Sequence, residues 1–456
     1  MAHHQVTSAD IAIHGDHLDT SKVSKVKTAA LAIACIGTAV SFYLLFFGPE
    51  RWQGTYAYSW LFAFYFYITL SIGGVFWTLL HNVSNSGWGT SVRRTFENVG
   101  STFPWMFLFA LPLLCPHVQQ YLYEWMNTQR AGMDAVAAGK EVSLKEYLHH
   151  EDHLLYAKKW FLNMPFWYGR MLFYFVGLGA VIIFLRKLST DQDTDPNPTT
   201  KRLFRARFHS TYTLIIFALT ITFTGFDFLK GLDYKWFSTM WGVYLFAGSA
   251  LNSMAVIILV CAWLKGQGHL KHVTTGEHFH IMGKLLFAFT VFWAYIAFSQ
   301  FFLIWYANIT EETSYFLIRN TGNWNTAMIF LVFGHFVVPF VVLLQAWLKK
   351  NPKYLSIMAV YTLAMHVLDH YLISIPERGI SLGNLMIKDA AGKVILDGHK
   401  VFGEIQPSIP GAFWGDILAF VTIGAAFVFF LLRAIGQHSL YPCRDPRILE
   451  SANLSN

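Results

Sequence analysis

Ten apolar stretches, each close to or above the roughly 20 residues that an α-helix needs to cross a bilayer, constrain this chain more than any other feature. Only 13% of its 456 residues are charged, against roughly 25% in a soluble domain. The pattern predicts an all-α integral membrane protein with ten transmembrane helices. The stretches are residues 28–47, 56–80, 102–118, 165–186, 209–227, 237–264, 280–305, 326–348, 354–375 and 411–434.

Lys and Arg residues are concentrated in every second connection between these stretches. With ten spans, all of the basic segments fall on the side of the two termini, which predicts that both termini are cytoplasmic. The same placement accounts for the formal net charge of +7 without nucleic-acid binding. The basic residues are Lys22, Lys25, Lys27, Arg93, Arg94, Arg186, Lys187, Lys201, Arg202, Arg205, Arg207, Lys265, Lys271, Lys349, Lys350, Lys353, Arg433, Arg444 and Arg447.

The lengths of the connections divide the chain further. Short connections favour antiparallel neighbours, and their order favours two four-helix bundles with two peripheral helices. Two connections are long and are predicted to be external. The predicted segments are a polar N-terminal tail 1–27, a first transmembrane helix 28–55, a first bundle 56–227 with the external loop 119–164, a second bundle 237–375, an external loop 376–410, a tenth helix 411–434 and a cytoplasmic tail 435–456.

The ninth span carries three ionisable residues on one helical face. Asp369 and His370 follow His366 by three and four positions. This spacing places all three side chains on one face of a helix. Ionisable groups at this depth are unfavourable unless they face a partner or a polar cavity. His335 in the eighth span is predicted at the same depth. We predict that these four residues form a proton relay, although a single histidine in a span commonly forms only a helix-packing hydrogen bond.

Other polar residues are predicted on both sides of this depth in the membrane, and they would extend the relay. Two of them have a structural alternative, because Asp227 can cap a helix at the interface and the Lys284 side chain can extend to the surface. The predicted outer path consists of Asp227, Gln300 and Asp416, and the predicted inner path of Lys284, His280 and Glu277.

Metal and haem sites find little support in the sequence. The four cysteines are scattered, with no Cys-x-x-Cys pair, which argues against covalent haem, iron–sulfur clusters and a zinc ribbon. His335 and His366 could ligate one haem, but no second pair is available. A solvated tail explains the N-terminal histidines better than a metal site does. These are His3, His4, His14 and His17, and no metal ligand is predicted.

From about residue 200 onwards the sequence resembles a family of bacterial membrane subunits. Phe226-Asp-Phe precedes Trp236-Phe-Ser-Thr-Met-Trp-Gly-Val-Tyr-Leu-Phe-Ala-Gly, and Gly283-Lys-Leu-Leu-Phe-Ala-Phe precedes Phe292-Trp-Ala-Tyr-Ile-Ala-Phe-Ser-Gln-Phe-Phe-Leu-Ile-Trp-Tyr-Ala-Asn-Ile-Thr-Glu-Glu-Thr. Arg319 follows. These runs resemble the polysulfide-reductase-like (NrfD-like) membrane subunits of alternative complex III, a bacterial quinol:cytochrome c oxidoreductase. The chain is most similar to the smaller of its two homologous membrane subunits, the ActF type.

The resemblance implies a bacterial inner-membrane protein with two four-helix bundles and no redox centre of its own. Haem and iron–sulfur clusters would belong to partner subunits, and a quinol such as menaquinol is the candidate ligand. The implied partners are lipids, a larger homologous membrane subunit, an iron–sulfur subunit, multihaem and monohaem cytochrome c subunits, and a terminal oxidase as electron acceptor.

The expected function is therefore that of a non-redox subunit of a respiratory quinol:cytochrome c or oxidase complex, with a proton-translocation path through the second bundle. One alternative is a catalytic quinol-binding subunit, with His335 and His366 at the quinone site. The other is a purely structural scaffold subunit, in which the buried charges only pair with one another.

Overall fold

A computed structural model of the chain describes residues 5–12, 14–139, 143–195, 198–320, 323–386 and 412–455. Within these ranges the regular structure is entirely helical. Nine of the described helices are long and apolar enough to cross a membrane, and a bent helix pair is a tenth candidate. The prediction of an all-α, multi-pass membrane protein is confirmed at this level.

The N-terminal half contains four long helices and several short ones. A π-helical turn, Phe173–Leu178, joins α9 to α10, and short 3₁₀ turns cover Ser8–Asp10, Trp88–Ser91 and Lys230–Asp233. The helices are α1 Thr20–Phe46, α2 Glu50–Ser84, α3 Arg93–Gly100, α4 Phe103–Leu114, α5 Pro116–Leu122, α6 Glu124–Ala137, α7 Leu144–Glu151, α8 His153–Ala157, α9 Met164–Leu172, α10 Gly179–Asp193 and α11 Lys201–Phe228.

The C-terminal half also consists of long helices and several short ones. A second π-helical turn, Val332–Val337, lies between α15 and α16. The helices are α12 Trp241–Gly266, α13 Gly276–Ala307, α14 Thr310–Arg319, α15 Asn323–Leu331, α16 Val338–Leu343, α17 Ala346–Lys350, α18 Pro352–Met386, α19 Ala412–Ile435 and α20 Ile448–Ala452.

The third predicted span is bent. Residues Arg93–Leu114 and Pro116–Leu122 meet at an angle of 79°. Pro116 has no N–H to continue the helical hydrogen bonds, and it disfavours a helical conformation at Cys115, so the helix cannot run straight through this point. The single span predicted for 102–118 therefore becomes an earlier segment, α3 and α4, followed by the separate helix α5.

The two long connections that were predicted to be external differ in structure from the prediction. Most of the loop predicted for 119–164 is helical, from α5 to α8. Helix α18 continues through Pro376 to Met386, so the loop predicted for 376–410 begins later than expected. The remainder of that loop, from 387, lies outside the described residues.

Helix α2 lies at the centre of the molecule. It contacts α1, α3, α4, α11, α12, α18 and α19. Its glycines let two neighbours approach closely: a Cβ at Gly73 would lie 2.2 Å from the carbonyl oxygen of Ser249 in α12, and one at Gly74 would lie 2.5 Å from the nitrogen of Gly100 in α3. Small residues allow this backbone contact in membrane helices, and here they fix α2 against α12.

The helices assigned to the second bundle are in contact with one another. Helix α12 contacts α13 and α18, α15 contacts α18, and α13 contacts α16. Helices α1 and α19 pair and both pack on α2. The division into two four-helix bundles itself stays a prediction.

The described part of the N-terminal tail is docked. The backbone N–H of Val6 donates to Asn453 Oδ1 at 2.8 Å, and Asn453 Nδ2 donates to the Val6 carbonyl at 2.8 Å. Asp16 Oδ1 lies 2.7 Å from His269 Nδ1, and the Asp16 carbonyl accepts from Leu440 N–H at 2.7 Å. The described histidines of the tail, His14 and His17, are exposed, whereas Val6 and Asp16 contact other segments of the protein.

Arg93 and Arg94, predicted to lie in a cytoplasmic connection, are buried. Their side chains are 2% and 1% exposed. Arg93 pairs with Asp445 at 2.6 Å and Arg94 with Asp193 at 2.6 Å, while Glu97 lies 3.3 Å from Arg93. The pairs tie α3 to α10 and to the segment after α19, so these two arginines contribute to packing and do not face headgroups.

Candidate functional site

The four predicted relay residues lie together in the structure. His366, Asp369 and His370 share one face of α18, and His335 faces them from the π-helical turn between α15 and α16. The ring centroids of His335 and His366 are 6.2 Å apart, and those of His366 and His370 are 4.3 Å apart. All four residues are buried.

The π-helical turn places His335 towards α18. A Cβ at Gly334 would lie 2.6 Å from Met365 Sδ and 3.3 Å from the Tyr361 hydroxyl, so the turn packs directly against α18. π-Helical turns are often found at functional positions, since they change the direction of a side chain without ending the helix. This turn was not predicted from the sequence.

Asp369 is held by neutral hydrogen-bond donors. The Tyr244 hydroxyl from α12 donates to Oδ1, and the Trp293 Nε1–H from α13 donates to Oδ2 at 3.2 Å. Among the described residues, its one ion-pair contact is with His366, whose Nδ1 is 3.7 Å from Oδ2. No Lys or Arg of the described chain pairs with this carboxyl group, which distinguishes it from the other buried carboxylates below.

The histidines retain unused hydrogen-bonding capacity. Both ring nitrogens of His335, and Nδ1 of His366 and of His370, have no hydrogen-bond partner among the described residues. The Trp293 ring packs on His335 with a centroid separation of 4.1 Å, and the Phe66 ring lies 5.4 Å from His366. Most buried polar atoms are paired, so four unpaired nitrogens around one carboxyl group form an exceptional cluster.

A cavity of about 700 Å³ adjoins this cluster. Asp369 and Trp293 form part of its inner wall, whereas His335 and His366 are not among the lining residues. Two other lining residues, Phe298 on α13 and Phe333 on the π-helical turn, are 63% and 59% exposed on the protein exterior. The cavity therefore extends from Asp369 to the side of the molecule, between α13 and the turn.

Further polar side chains, among them those of Gln300 and Arg319, line this cavity. Gln300 is buried, and its Oε1 has no hydrogen-bond partner among the described residues. Arg319 is fully engaged: it pairs with Glu377 at 3.0 Å and its guanidinium lies 3.4 Å from the Tyr315 ring centroid. No structural role was predicted for Arg319 or Glu377, which are 58 residues apart in the sequence.

The predicted outer-path residues Asp227 and Asp416 do not contact the cluster. Asp227 accepts from Arg170 Nε at 2.8 Å and from Nη2 at 2.6 Å, and the Tyr174 hydroxyl donates to it at 2.7 Å. Asp416 accepts from Arg378 at 2.7 Å and from the hydroxyl of Ser59 at 2.5 Å. Both are buried carboxylates with an arginine partner, and of the outer set only Gln300 shares a cavity with Asp369.

The predicted inner-path residues lie near the beginning of α13. Glu277 pairs with Lys350 at 2.5 Å and its Oε2 is 3.4 Å from His280 Nδ1. Lys284 is exposed. Burial lowers the pKa of Lys349, in the short helix outside the spans, and the charge of Lys284 acts in the same direction. Glu277, His280 and Lys284 lie near the beginning of α13 and do not reach the histidine cluster.

Four residues around the cluster were not assigned to the site from the sequence. Tyr244 and Trp293 bind Asp369, Thr69 contacts His366, and a Cβ at Gly248 would lie 3.1 Å from His366 Cε1. Tyr244 and Trp293 lie in the two sequence runs that carry the family resemblance, which was the available signal. Gly248 is the last residue of the first of these runs, whereas Thr69 carries no signal of its own in the sequence.

Comparison with known proteins does not identify the chain. No model of a known protein family and no curated protein sequence matches it. Among the described residues, no group of three or more His, Cys, Asp or Glu side chains is arranged to hold a metal ion. The function of the protein is therefore inferred from the geometry of the cluster and its cavity.

Proposed function

We propose that this chain is a non-redox subunit of a quinol-oxidising respiratory complex of the bacterial inner membrane, and that it carries protons. The proposed relay is His335, His366, Asp369 and His370. The observation that carries the proposal is the environment of Asp369: a buried carboxyl group among three histidines, held by neutral donors alone. A group without a fixed counter-charge can change its protonation state without breaking an ion pair.

The orientation and partners form part of the same proposal. Most of the Lys and Arg residues outside the spans still favour cytoplasmic termini after Arg93 and Arg94 are set aside. The redox centres would be the haem groups and iron–sulfur clusters of partner subunits. The larger homologous membrane subunit would pack beside this chain, in the arrangement of alternative complex III.

Within the relay, we assign the outer side to Gln300 and the cytoplasmic entrance to Glu277 and His280. Gln300 shares the cavity wall with Asp369. Asp227 and Asp416 are assigned to structural ion pairs, since each has an arginine in direct contact. Lys284 is left out, because its side chain is exposed.

The proposal is tested by Asp369→Asn in the assembled complex, because an amide keeps the shape of the carboxyl group but cannot exchange the proton. We expect proton release per electron to fall towards the value set by quinol oxidation itself, while electron transfer continues. The exposed Asp134 provides a matched control, Asp134→Asn, which should leave both quantities unchanged. Wild-type proton release and turnover in Asp369→Asn would contradict the proposal.

The cavity supports a second candidate function, quinol binding. Its walls are largely aromatic and aliphatic, it opens laterally, and Gln300 Oε1 and Asp369 can accept hydrogen bonds from a ring hydroxyl. If quinol binds here, Gln300 and Asp369 replace His335 and His366 as its direct partners. A photoreactive quinol analogue should then label residues such as Phe298 in the wild type, and labelling should fall in Gln300→Leu. Labelling confined to partner subunits would exclude this candidate.

A further inference from the structure

The contacts of Thr69 determine which nitrogen of His366 carries a hydrogen. The Thr69 hydroxyl oxygen lies 2.6 Å from the Phe66 carbonyl oxygen and 3.4 Å from His366 Nε2. A carbonyl oxygen can only accept, so the hydroxyl hydrogen is donated to Phe66. The contact with His366 can then be a hydrogen bond only if Nε2 is the donor. The neutral ring of His366 is therefore the tautomer with hydrogen on Nε2.

This tautomer leaves Nδ1 of His366 as an acceptor facing Asp369. Nδ1 and Oδ2 of Asp369 are 3.7 Å apart. The Oδ2 atom accepts from Trp293 at 3.2 Å and keeps a second lone pair. Two acceptors that face each other in a buried site repel unless a proton lies between them. Closing the separation to a normal hydrogen bond needs a movement of about 1 Å.

The ring of His366 is closely packed by its neighbours. A Cβ on Gly248 would lie 3.1 Å from Cε1 and 3.7 Å from Nδ1 of His366, so the backbone of α12 lies close to the ring. Thr69 contacts the ring from α2, and Asp369 lies about one turn further along α18, the helix that carries His366. The close packing of these elements disfavours rotation of the ring.

We propose that Thr69 is a positioning residue that makes His366 Nδ1 and Asp369 Oδ2 a site for one shared proton. With the proton on Oδ2 both groups are neutral. When the O–H bond breaks and an N–H bond forms at Nδ1, the pair becomes a carboxylate and an imidazolium, and the total charge is unchanged. This inference rests on the proposed function and names the place in the relay where a proton is held.

The test is ¹⁵N NMR of the purified full-length chain, labelled at histidine, since the two nitrogen types of a neutral ring have different shifts. His366→Gln identifies the signals of His366 among the 19 histidines. Thr69→Val removes the hydroxyl acceptor at nearly constant volume, and Thr69→Ser keeps it as the matched control. We expect a single tautomer, with hydrogen on Nε2, in the wild type and in Thr69→Ser, and a loss of that single state in Thr69→Val.

Hydrogen on Nδ1 in the wild type would overturn the inference, and so would an unchanged tautomer in Thr69→Val. The wild-type measurement decides even if the valine variant does not fold. The experiment needs no partner subunit and no electron transfer. It can therefore fail while proton release still depends on Asp369, and it can succeed while the proposed function fails the Asp369→Asn test.

Discussion

The buried carboxylates of this protein fall into two kinds of environment. Asp227 and Asp416 each accept hydrogen bonds from an arginine, at distances of 2.6 to 2.8 Å in the shortest contacts. Asp369 is equally buried but is bound by Tyr244 and Trp293 and faces three histidines. In the sequence all three aspartates lie in or beside apolar spans, and Asp369 differs in sharing a helical face with His366 and His370.

The difference separates structural from chemical roles. An arginine pair holds a carboxylate in its charged form, and removing one partner leaves an uncompensated charge. The histidine cluster has no fixed counter-charge, and four of its ring nitrogens are unpaired within the described structure. The paired sites connect helices, whereas we propose that the cluster gains and loses protons.

The largest effect is expected from breaking a paired site. Arg170→Met leaves Asp227 buried without its cation, which should lower the free energy of unfolding by about 3–5 kcal/mol. Thermal unfolding of the purified protein measures this loss. The double variant Arg170→Met/Asp227→Leu should recover a large part of it, since no unpaired charge remains. A single variant as stable as the wild type would show that the pair does not stabilise the fold.

A smaller effect is expected where α12 packs on the cluster. Gly248→Ala places a methyl group 3.1 Å from His366 Cε1, and such overpacking costs about 1–3 kcal/mol. Gly169 offers a matched control, because a Cβ there meets nothing within 4 Å. Gly169→Ala should be neutral or slightly stabilising in the same unfolding assay. Equal behaviour of the two variants would mean that α12 does not confine the histidine ring.

Removing a cluster histidine should affect function more than stability. His335 has no hydrogen-bond partner for either nitrogen among the described residues, so an apolar replacement leaves no group unpaired. His335→Leu should change the free energy of unfolding by less than about 1 kcal/mol, while proton release per electron falls. If His335→Leu together with His366→Leu left proton release intact in a correctly assembled complex, a scaffold role would replace the relay.

The smallest effect is expected at Lys284. Its side chain is exposed, and substitutions at such positions change stability by at most about 0.5 kcal/mol. Lys284→Gln should also leave proton release per electron unchanged. Unfolding and proton-release assays on this variant therefore serve as a baseline, and a clear loss of proton release would restore Lys284 to the inner path.

The sequence predicted the features that depend on local periodicity. Helical spacing alone placed His366, Asp369 and His370 on one face, and apolar length gave the spans to within a few residues in most cases. His335 was placed at the same depth by counting residues from the span ends. These predictions needed no knowledge of which helices are neighbours.

Features that depend on contacts between distant segments could not be predicted. Asp227 is 57 residues from Arg170 in the chain, and nothing in a single sequence pairs them. The burial of Arg93 and Arg94 follows from carboxylates on α10 and beyond α19. The bend at Cys115 was foreseeable from Pro116, but the apolar composition of that stretch favoured a straight span.

The most direct test of the central contrast is infrared difference spectroscopy of the purified protein during a pH titration, with the carboxylic acid band as the signal. We expect a band that changes with pH, disappears in Asp369→Asn and remains in Asp416→Asn. That result would show that the histidine-bound carboxyl group exchanges its proton and that the arginine-bound one does not supply the signal. The absence of any pH-dependent band assignable to Asp369, while the protein stays folded, would contradict it.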